Sequence, residues 1–183
     1  ARLREIRAVV GPEVGIRLDA NGAWSLREAQ VALERLGDVD LELVEQPLGV
    51  DAPLEDWLEL RGVGVRIAAD ESVRNEQSMS GLLPGIDAVV LKPMFIGGLQ
   101  AAVAMGRRAQ AEGRQVVVTS CLGSGVERYG ALHVAAALRG PGLLACGLDT
   151  GGLIQDDPCA GPVALGGFMP IGGVGLGLQE RLF

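Results

Sequence analysis

Apolar runs alternate along the chain with segments in which apolar residues recur every three or four positions. Each apolar run ends in polar residues and is followed by a turn, which is typical of a buried strand that leads into a helix. The runs predict strands at 15–21, 41–47, 65–71, 87–93, 115–121 and 142–152. Strands that alternate with helices in this way predict a parallel sheet built by right-handed crossovers.

The segments with helical periodicity predict helices over 1–11, from about residue 25, over 53–62, near 75–83, over 99–113 and over 127–140. The second of these has a clear start, because Ser25 is followed three residues later by Glu28, as in a capping box. Gly113 is placed to end the helix that precedes it.

Two architectures of the α/β class fit this order of elements: a doubly wound open sheet and a (β/α)8 barrel. No Gly-rich phosphate-binding motif follows an early strand. Nearly every predicted strand ends in a residue with ligand or catalytic chemistry, as expected at the C-terminal face of a barrel. We therefore predict a (β/α)8-type barrel with about six βα units in this chain. A complete barrel has eight strands, so residues 1–183 are interpreted as its C-terminal part, with the first two strands missing.

Carboxylates end the first three predicted strands: Asp19, Glu45 and Asp70. Residues one βα unit apart lie close together on the rim of a parallel barrel, where like charges repel unless a cation binds. Oxygen-only ligands favour Mg²⁺, with Mn²⁺ also possible, over zinc. Taken singly, each carboxylate also fits a helix cap or a solvated loop. Glu71 competes with Asp70, because adjacent strand residues point to opposite faces.

Lys92 ends the fourth predicted strand and is the only lysine in a chain that uses arginine at every other basic position. Lysine shifts its pKa readily, whereas arginine stays protonated, so a need for amine chemistry explains the exception. The alternative is a solvent-exposed charge at a strand end.

Composition excludes several classes of function. The net charge of −7 argues against a nucleic-acid face, which requires clustered lysine and arginine. No apolar run approaches the roughly 20 residues of a membrane span. The 3 cysteines form neither a zinc pattern nor a disulfide framework, which favours a cytoplasmic protein.

Together, four motifs resemble the enolase superfamily in its muconate lactonizing enzyme subgroup. They are Asp-Ala-Asn-Gly-Ala-Trp (19–24), Glu-Gln-Pro-Leu (45–48), Ala-Asp-Glu-Ser (69–72) and Leu-Lys-Pro followed by Gly-Gly-Leu (91–99). By this resemblance, Asp19, Glu45 and Asp70 bind Mg²⁺, and Lys92 is the lysine at the end of the sixth barrel strand. Enolase-superfamily sites pair a lysine or histidine base with Mg²⁺.

Three later segments resemble the o-succinylbenzoate synthase family: residues 118–126, 131–138 and 147–153. The resemblance implies a hydro-lyase of menaquinone biosynthesis that dehydrates a small carboxylate through an enolate. Lys92 would then be an ammonium that stabilises negative charge. The alternative is an N-succinylamino acid racemase or related epimerase, in which Lys92 would be an acid and base.

Further residues are candidates for contact with substrate. Asn21 lies two residues after Asp19 and so on the same side of a strand, although Asn-Gly is equally a turn signal. Small residues at the last two strand ends leave room for a substrate carboxylate; we name Ser120, Gly123 and Thr150. We interpret three other residues as packing residues: His133, Trp24 and Trp57.

One part of the family pattern is not found. The resemblance implies a Lys-x-Lys motif, whose second lysine is the general base, and an N-terminal capping domain, and the chain has neither. We therefore expect a missing N-terminal segment or a partner that supplies it. A third reading is a truncated, catalytically incomplete barrel whose open sheet edges favour self-association.

Overall fold

The computed structural model describes residues 2–172 and 175–176. The chain divides into two compact units, residues 1–89 and 90–183, and the division falls within one strand. Each unit is described separately below, as unit 1 and unit 2.

Unit 1 consists of helices and strands in strict alternation. In chain order they are α1 (Arg2–Val10), β1 (Ile16–Asp19), α2 (Leu26–Arg35), β2 (Leu41–Glu45), α3 (Leu54–Leu60), β3 (Ile67–Ala69), α4 (Glu76–Leu82) and the first half of β4 (Ala88–Leu91). A 3-10 turn over Leu83–Gly85 follows α4. The neighbouring strands pair in parallel in the order β1-β2-β3-β4. The predicted α/β class and these strands are thus confirmed.

The core of unit 1 lies between the sheet and its helices. Leu43 and Val44 of β2, Ile67 of β3 and Trp57 of α3 are fully buried. The predicted packing role of Trp57 is confirmed, whereas Trp24 is only partly buried. Gly85 is required beside this tryptophan, because a Cβ atom at that position would lie 2.7 Å from the Trp57 Cβ.

Helix α1 has no buried residue and is held mainly by arginine side chains. Arg7 donates to the carbonyl oxygens of Val39 at 2.9 Å, Gly11 at 2.7 Å, Val14 at 2.5 Å and Asp40 at 2.8 Å. One guanidinium therefore ties the helix to the loops at the start of β1 and β2.

Helix α2 begins as its sequence predicts. The Ser25 Oγ accepts from the Glu28 N–H at 3.4 Å, and the Glu28 Oε2 accepts from the Ser25 N–H at 2.8 Å. The capping box is therefore complete.

Unit 2 contains the second half of β4, α5 (Leu99–Ala111), β5 (Gln115–Val118), α6 (Gly125–Ala137) and a 3-10 turn over Gly151–Leu153. Strand β5 neighbours β4, and the Thr119 N–H donates to the Leu91 carbonyl at 3.1 Å. Within the described residues, no helix is long and apolar enough to cross a membrane.

The sixth predicted strand, 142–152, is not a regular strand. The chain there runs parallel to β5 and forms two isolated bridges, Val116 with Leu143 and Thr119 with Gly147. The segment has one more residue between these bridges than β5 has, so the ladder is interrupted as at a β-bulge. The prediction of about six βα units is corrected to five regular strands in the described part of the chain.

Candidate functional site

The three strand-end carboxylates, Asp19, Glu45 and Asp70, all lie in unit 1 at the same edge of the sheet. Asp19 and Glu45 are direct partners in the parallel register of β1 and β2. Glu45 is paired with Ala68 of β3, and Asp70 follows that strand by one residue. The register therefore places the three residues on consecutive strands at their carboxyl ends.

The surroundings of these carboxylates differ. Asp19 is exposed, and its Oδ1 accepts a hydrogen bond from the Asn21 N–H at 2.9 Å. Asp70 is only 5% exposed, whereas the neighbouring Glu71 is exposed. The structure thus separates this acidic pair, with Asp70 buried at the strand end and Glu71 turned to solvent.

Asn21 does not continue the alternation of β1. It has φ of 48° and Gly22 has φ of 67°, and the Ala23 N–H donates to the Ala20 carbonyl at 3.0 Å. Two central residues with positive φ are typical of a tight type I′ turn. The alternation argument for placing Asn21 on the same side as Asp19 is therefore wrong, and the Asn-Gly turn that we weighed against it is present.

Gln46 is the polar centre of this edge, and sequence reasoning did not single it out. Its side chain is fully buried and its φ is 38°. The Gln46 Oε1 accepts from the Asp70 N–H at 2.9 Å and the Ser72 N–H at 3.2 Å. The Gln46 Nε2 donates to the Leu48 carbonyl at 2.7 Å and the Ser72 Oγ at 2.7 Å. One amide side chain thus connects the end of β2 to the loop after β3.

The donor set at this edge fits a hard divalent cation. Carboxylate oxygens are the ligands that Mg²⁺ and Mn²⁺ prefer, and no thiolate or imidazole belongs to the three. Within the described residues, no three Asp, Glu, His or Cys side chains are gathered closely enough to count as a formed metal site. The fit therefore rests on ligand chemistry and strand register.

Lys92 lies in unit 2, directly after β4, and is partly buried. Its carbonyl accepts hydrogen bonds from the Phe95 N–H at 2.9 Å and the Ile96 N–H at 3.3 Å, which fixes the turn that follows. The Thr119 N–H donates to the Leu91 carbonyl, and Lys92 and Ser120 are the residues that directly follow these two. Lys92 and Ser120 therefore lie at matching positions on neighbouring segments.

Ser120 and Thr150, both predicted from the sequence, are brought together in unit 2. Their hydroxyl oxygens lie 3.1 Å apart, and the Thr150 hydroxyl donates to the Cys121 carbonyl at 2.9 Å. Ser120 also contacts the Gly147 carbonyl through its Oγ at 3.3 Å. These two residues form the hydroxyl pair, which joins the loop after β5 to the end of the 142–152 segment.

Gly123, the third residue predicted in unit 2, makes room for a carboxylate. A Cβ atom at this position would lie 2.9 Å from the Glu127 Cβ. The Glu127 Oε1 accepts from the Cys121 N–H at 3.1 Å, and its Oε2 is buried without a hydrogen-bond partner among the described residues. Burial raises the pKa of Glu127, and the Cys121 N–H and Arg128 oppose this only in part.

The raised pKa of Glu127 predicts a pH dependence of stability. A carboxyl group whose pKa is higher in the folded than in the unfolded protein favours folding at low pH, and this advantage is lost as pH rises through the folded pKa. Glu127→Gln is neutral at every pH, so we expect it to lose less stability than the wild type between about pH 4 and neutral pH. Urea unfolding across this range measures the difference. Parallel stability curves would contradict the assignment.

Arg128, the next residue on α6, is 5% exposed and is paired with Asp157 at 2.8 Å. Two backbone N–H groups, of Gly125 and Cys159, also donate to the Asp157 carboxylate and, with Arg128, lower its pKa. Gly151 and Gly161 lie against the guanidinium so closely that a Cβ atom at either position would overlap it. Arg128 therefore holds residues 151–161 against α6 through its ion pair with Asp157 and its packing against the two glycines.

His133 lies on α6, where it was predicted to be a packing residue. It is partly buried, and its Nε2 lies 3.3 Å from the carbonyl oxygen of Leu176. It also lines an apolar groove of about 370 Å³ with Leu99, Val103 and Val134. These surroundings agree with a packing role.

Comparisons with known proteins agree with the motifs. The model of the family described as "Enolase C-terminal domain-like" matches residues 1–179. The o-succinylbenzoate synthase of Thermobifida fusca is 37% identical over 178 residues, covering 95% of this chain and 52% of that protein. The o-succinylbenzoate synthase of Mycobacterium tuberculosis is 38% identical over 160 residues, covering 85% of this chain and 47% of that protein. The chain spans about half the length of the curated relatives it matches.

Solved structures show the same relationship. The L-Ala-D/L-Glu epimerase from Bacillus subtilis is similar with a TM-score of 0.85 and 31% identity over 97% of this chain and 50% of that chain. Muconate lactonizing enzyme from Pseudomonas putida has a TM-score of 0.88 at 24% identity, covering 97% of this chain and 51% of that chain, and at this identity it shows the fold alone. The predicted resemblance is therefore confirmed: this chain belongs to the enolase C-terminal domain-like family of the enolase superfamily.

Proposed function

We propose that this chain supplies the metal-binding carboxylates and one catalytic lysine of an o-succinylbenzoate synthase-type hydro-lyase, which dehydrates a small carboxylate in menaquinone biosynthesis. The observation that carries the proposal is the register of unit 1, which aligns Asp19 with Glu45 and places the buried Asp70 one strand further along. The identity of 37% to the Thermobifida fusca o-succinylbenzoate synthase supports the choice of reaction.

In this proposal, Asp19, Glu45 and Asp70 hold Mg²⁺ or Mn²⁺. A divalent cation acts as a Lewis acid that stabilises negative charge on a substrate carboxylate. The three carboxylates would hold the cation at the carboxyl ends of β1, β2 and β3. Their own mutual repulsion is relieved when the cation binds, because three like charges on adjacent strand ends oppose one another.

Unit 2 is proposed to contribute the lysine and a polar surface for substrate. As an ammonium, Lys92 would stabilise the negative charge that develops when a general base takes the proton next to the substrate carboxylate. By the resemblance, that base is the second lysine of the Lys-x-Lys motif, which residues 1–183 do not contain. The hydroxyl pair of Ser120 and Thr150 and the backbone beside Gly123 are proposed to contact substrate. In unit 1, the exposed side chain of Asn21 is a separate candidate for substrate contact.

A second function is an N-succinylamino acid racemase or related epimerase. The observation that favours it is the similarity at 31% identity to an epimerase of known structure. In that reaction Lys92 would give and take a proton, since lysine can lose its charge near neutral pH when its surroundings lower its pKa.

Titration of Mn²⁺ into the intact protein tests the metal site, followed by assays of dehydration and of racemisation. We expect Asp19→Asn and Glu45→Gln each to weaken Mn²⁺ binding by at least about tenfold, since even outer-shell changes cost that much. Glu34→Gln, which removes an exposed carboxylate from α2, is the matched control and should bind as the wild type does. Unchanged Mn²⁺ affinity in Asp19→Asn or Glu45→Gln would refute the assignment of the changed carboxylate.

A further inference from the structure

We propose that Gln46 is a positioning residue for the metal site: its buried amide sets the place of Asp70 relative to Glu45. This inference rests on the proposed function, because it assumes that the three strand-end carboxylates bind a cation. Gln46 does not itself contact the cation in this proposal. Gln46 instead holds the backbone next to the proposed metal ligands, through hydrogen bonds to the Asp70 N–H and the Ala68 carbonyl.

The first argument is that every hydrogen-bonding position of the Gln46 amide has a partner. Its oxygen accepts two N–H groups, from Asp70 and Ser72, and its nitrogen donates twice, to the Leu48 carbonyl and the Ser72 hydroxyl. A primary amide offers two donors and two acceptor lone pairs, so this set uses its full capacity. A buried amide with all its bonds made is held in one orientation.

The second argument is the identity of the groups that are held. The Asp70 N–H belongs to the third proposed ligand, and Gln46 is the residue directly after the second, Glu45. The Gln46 N–H also donates to the Ala68 carbonyl at 2.8 Å. The main chain and the side chain of Gln46 are therefore both hydrogen-bonded to the end of β3. The distance between two ligands on different strands is thereby set by a single residue.

The third argument is backbone conformation. A residue other than glycine with φ near 38° is uncommon and persists only where its surroundings hold it. The Gly22 N–H donates to the Gln46 carbonyl at 2.7 Å, which ties the turn after Asp19 to the same residue. The segments that carry Asp19 and Asp70 are therefore hydrogen-bonded to Gln46, and Glu45 directly precedes it in the chain.

The test measures Mn²⁺ affinity and amide hydrogen exchange in three variants of the intact protein. Gln46→Met keeps the side-chain length and removes all four amide bonds, and we expect its Mn²⁺ Kd to rise about 10- to 100-fold. Ser72→Ala removes one partner only and should raise Kd about two- to fivefold. Leu60 of α3 is fully buried, so Leu60→Ala destabilises the fold without removing a bond of Gln46. As the control for destabilisation alone, it should leave the Mn²⁺ Kd of the folded protein unchanged.

Hydrogen exchange of the Asp70 and Ser72 amides is read in the metal-free protein. We expect both amides to be protected in the wild type and in Leu60→Ala, and exposed to exchange in Gln46→Met. If Gln46→Met and Leu60→Ala raise the Kd equally, the role of Gln46 is merely structural and the inference is overturned. If Gln46→Met does not fold, an unchanged Kd in Ser72→Ala overturns it instead.

The two levels of the proposal fail in different ways. Absence of Mn²⁺ binding by the wild type would remove the metal site, and the positioning role of Gln46 would fall with it. Normal binding by the wild type together with normal binding by a folded Gln46→Met would leave the metal site intact and remove only the role of Gln46.

Discussion

Replacing Lys92 by alanine is expected to lower the kcat of the intact protein by about 10²- to 10⁴-fold, the range that a positioned acid–base or charge-stabilising group contributes. Lys92 is partly buried directly after β4, and its carbonyl fixes the turn that follows through two N–H groups. Because those bonds come from the backbone, alanine should preserve the fold. Mn²⁺ affinity should also be unchanged, since Lys92 is not a proposed ligand.

Lys92→Arg distinguishes the two proposed reactions. Arginine keeps a positive charge and does not give up its proton in a protein. A lysine that only stabilises charge should therefore be replaced in part by arginine, and dehydration should recover above the level of Lys92→Ala. A lysine that transfers a proton should not be replaced, so Lys92→Arg should be as inactive as Lys92→Ala in racemisation. Activity of Lys92→Ala within a factor of about two of the wild type would exclude both roles.

Arg128→Met is expected to destabilise the protein more than Glu127→Gln or Arg139→Met, with a fall in Tm of about 10 °C. The change removes the buried partner of Asp157 and leaves a space between Gly151 and Gly161. Bonds to Gly125, Cys159 and Arg128 lower the pKa of Asp157, so their stabilisation is present above about pH 4 and lost as pH falls through the folded pKa. The difference between wild type and variant should therefore shrink in acid.

Arg139→Met is the matched control, because this arginine is exposed just after α6. Its Tm should differ little from that of the wild type. Thermal unfolding at neutral and acidic pH gives both comparisons. Equal Tm values for Arg128→Met and Arg139→Met would show that the buried pair does not hold the chain from 151 to 161.

The sequence predicts the five regular strands because each contains closely spaced apolar residues, which form an uninterrupted run in β3 and β4. Val89, Val90 and Leu91 of β4 are buried, as expected for a parallel strand covered on both faces. The start of α2 is predicted because its capping box is a local signal between Ser25 and Glu28. The irregular pairing of segment 142–152 is not predicted, because a β-bulge depends on a mismatch with the partner strand that one segment alone does not reveal.

The sequence predicts some residues of the candidate site from their position in the fold and others only from their residue type. The positions of Asp19, Glu45 and Asp70 at strand ends follow from the repeat of strand and helix, and their register agrees with it. Ser120 and Thr150 are predicted only from their small, polar residue type, and the structure brings their hydroxyls together. Whether these five residues bind a cation and substrate stays a prediction.

Gln46 and Glu127, which the sequence does not single out, form hydrogen bonds with backbone groups of other segments. Gln46 contacts the backbone of Asp70 and Ser72 on another strand end, and nothing near residue 46 reports those partners. Glu127 occupies the third position of α6 after Ser124, where a capping box is the local expectation. It instead accepts from the Cys121 N–H, since the loop lies close enough at Gly123. The available signal for Arg128 is that it and Glu127 are the only charged residues in the mostly apolar sequence of α6.

The strand order of unit 1 also bears on the entropic cost of forming its sheet. Each strand there pairs with the strand that precedes or follows it in the sequence, as Ile16 with Leu41 and Val44 with Ile67. Pairings between consecutive segments close short loops, so their entropic cost is modest and no strand waits for a partner made much later. The pairing of β1, β2 and β3, with Asp19, Glu45, Gln46 and Asp70 at one edge, therefore requires no strand of unit 2.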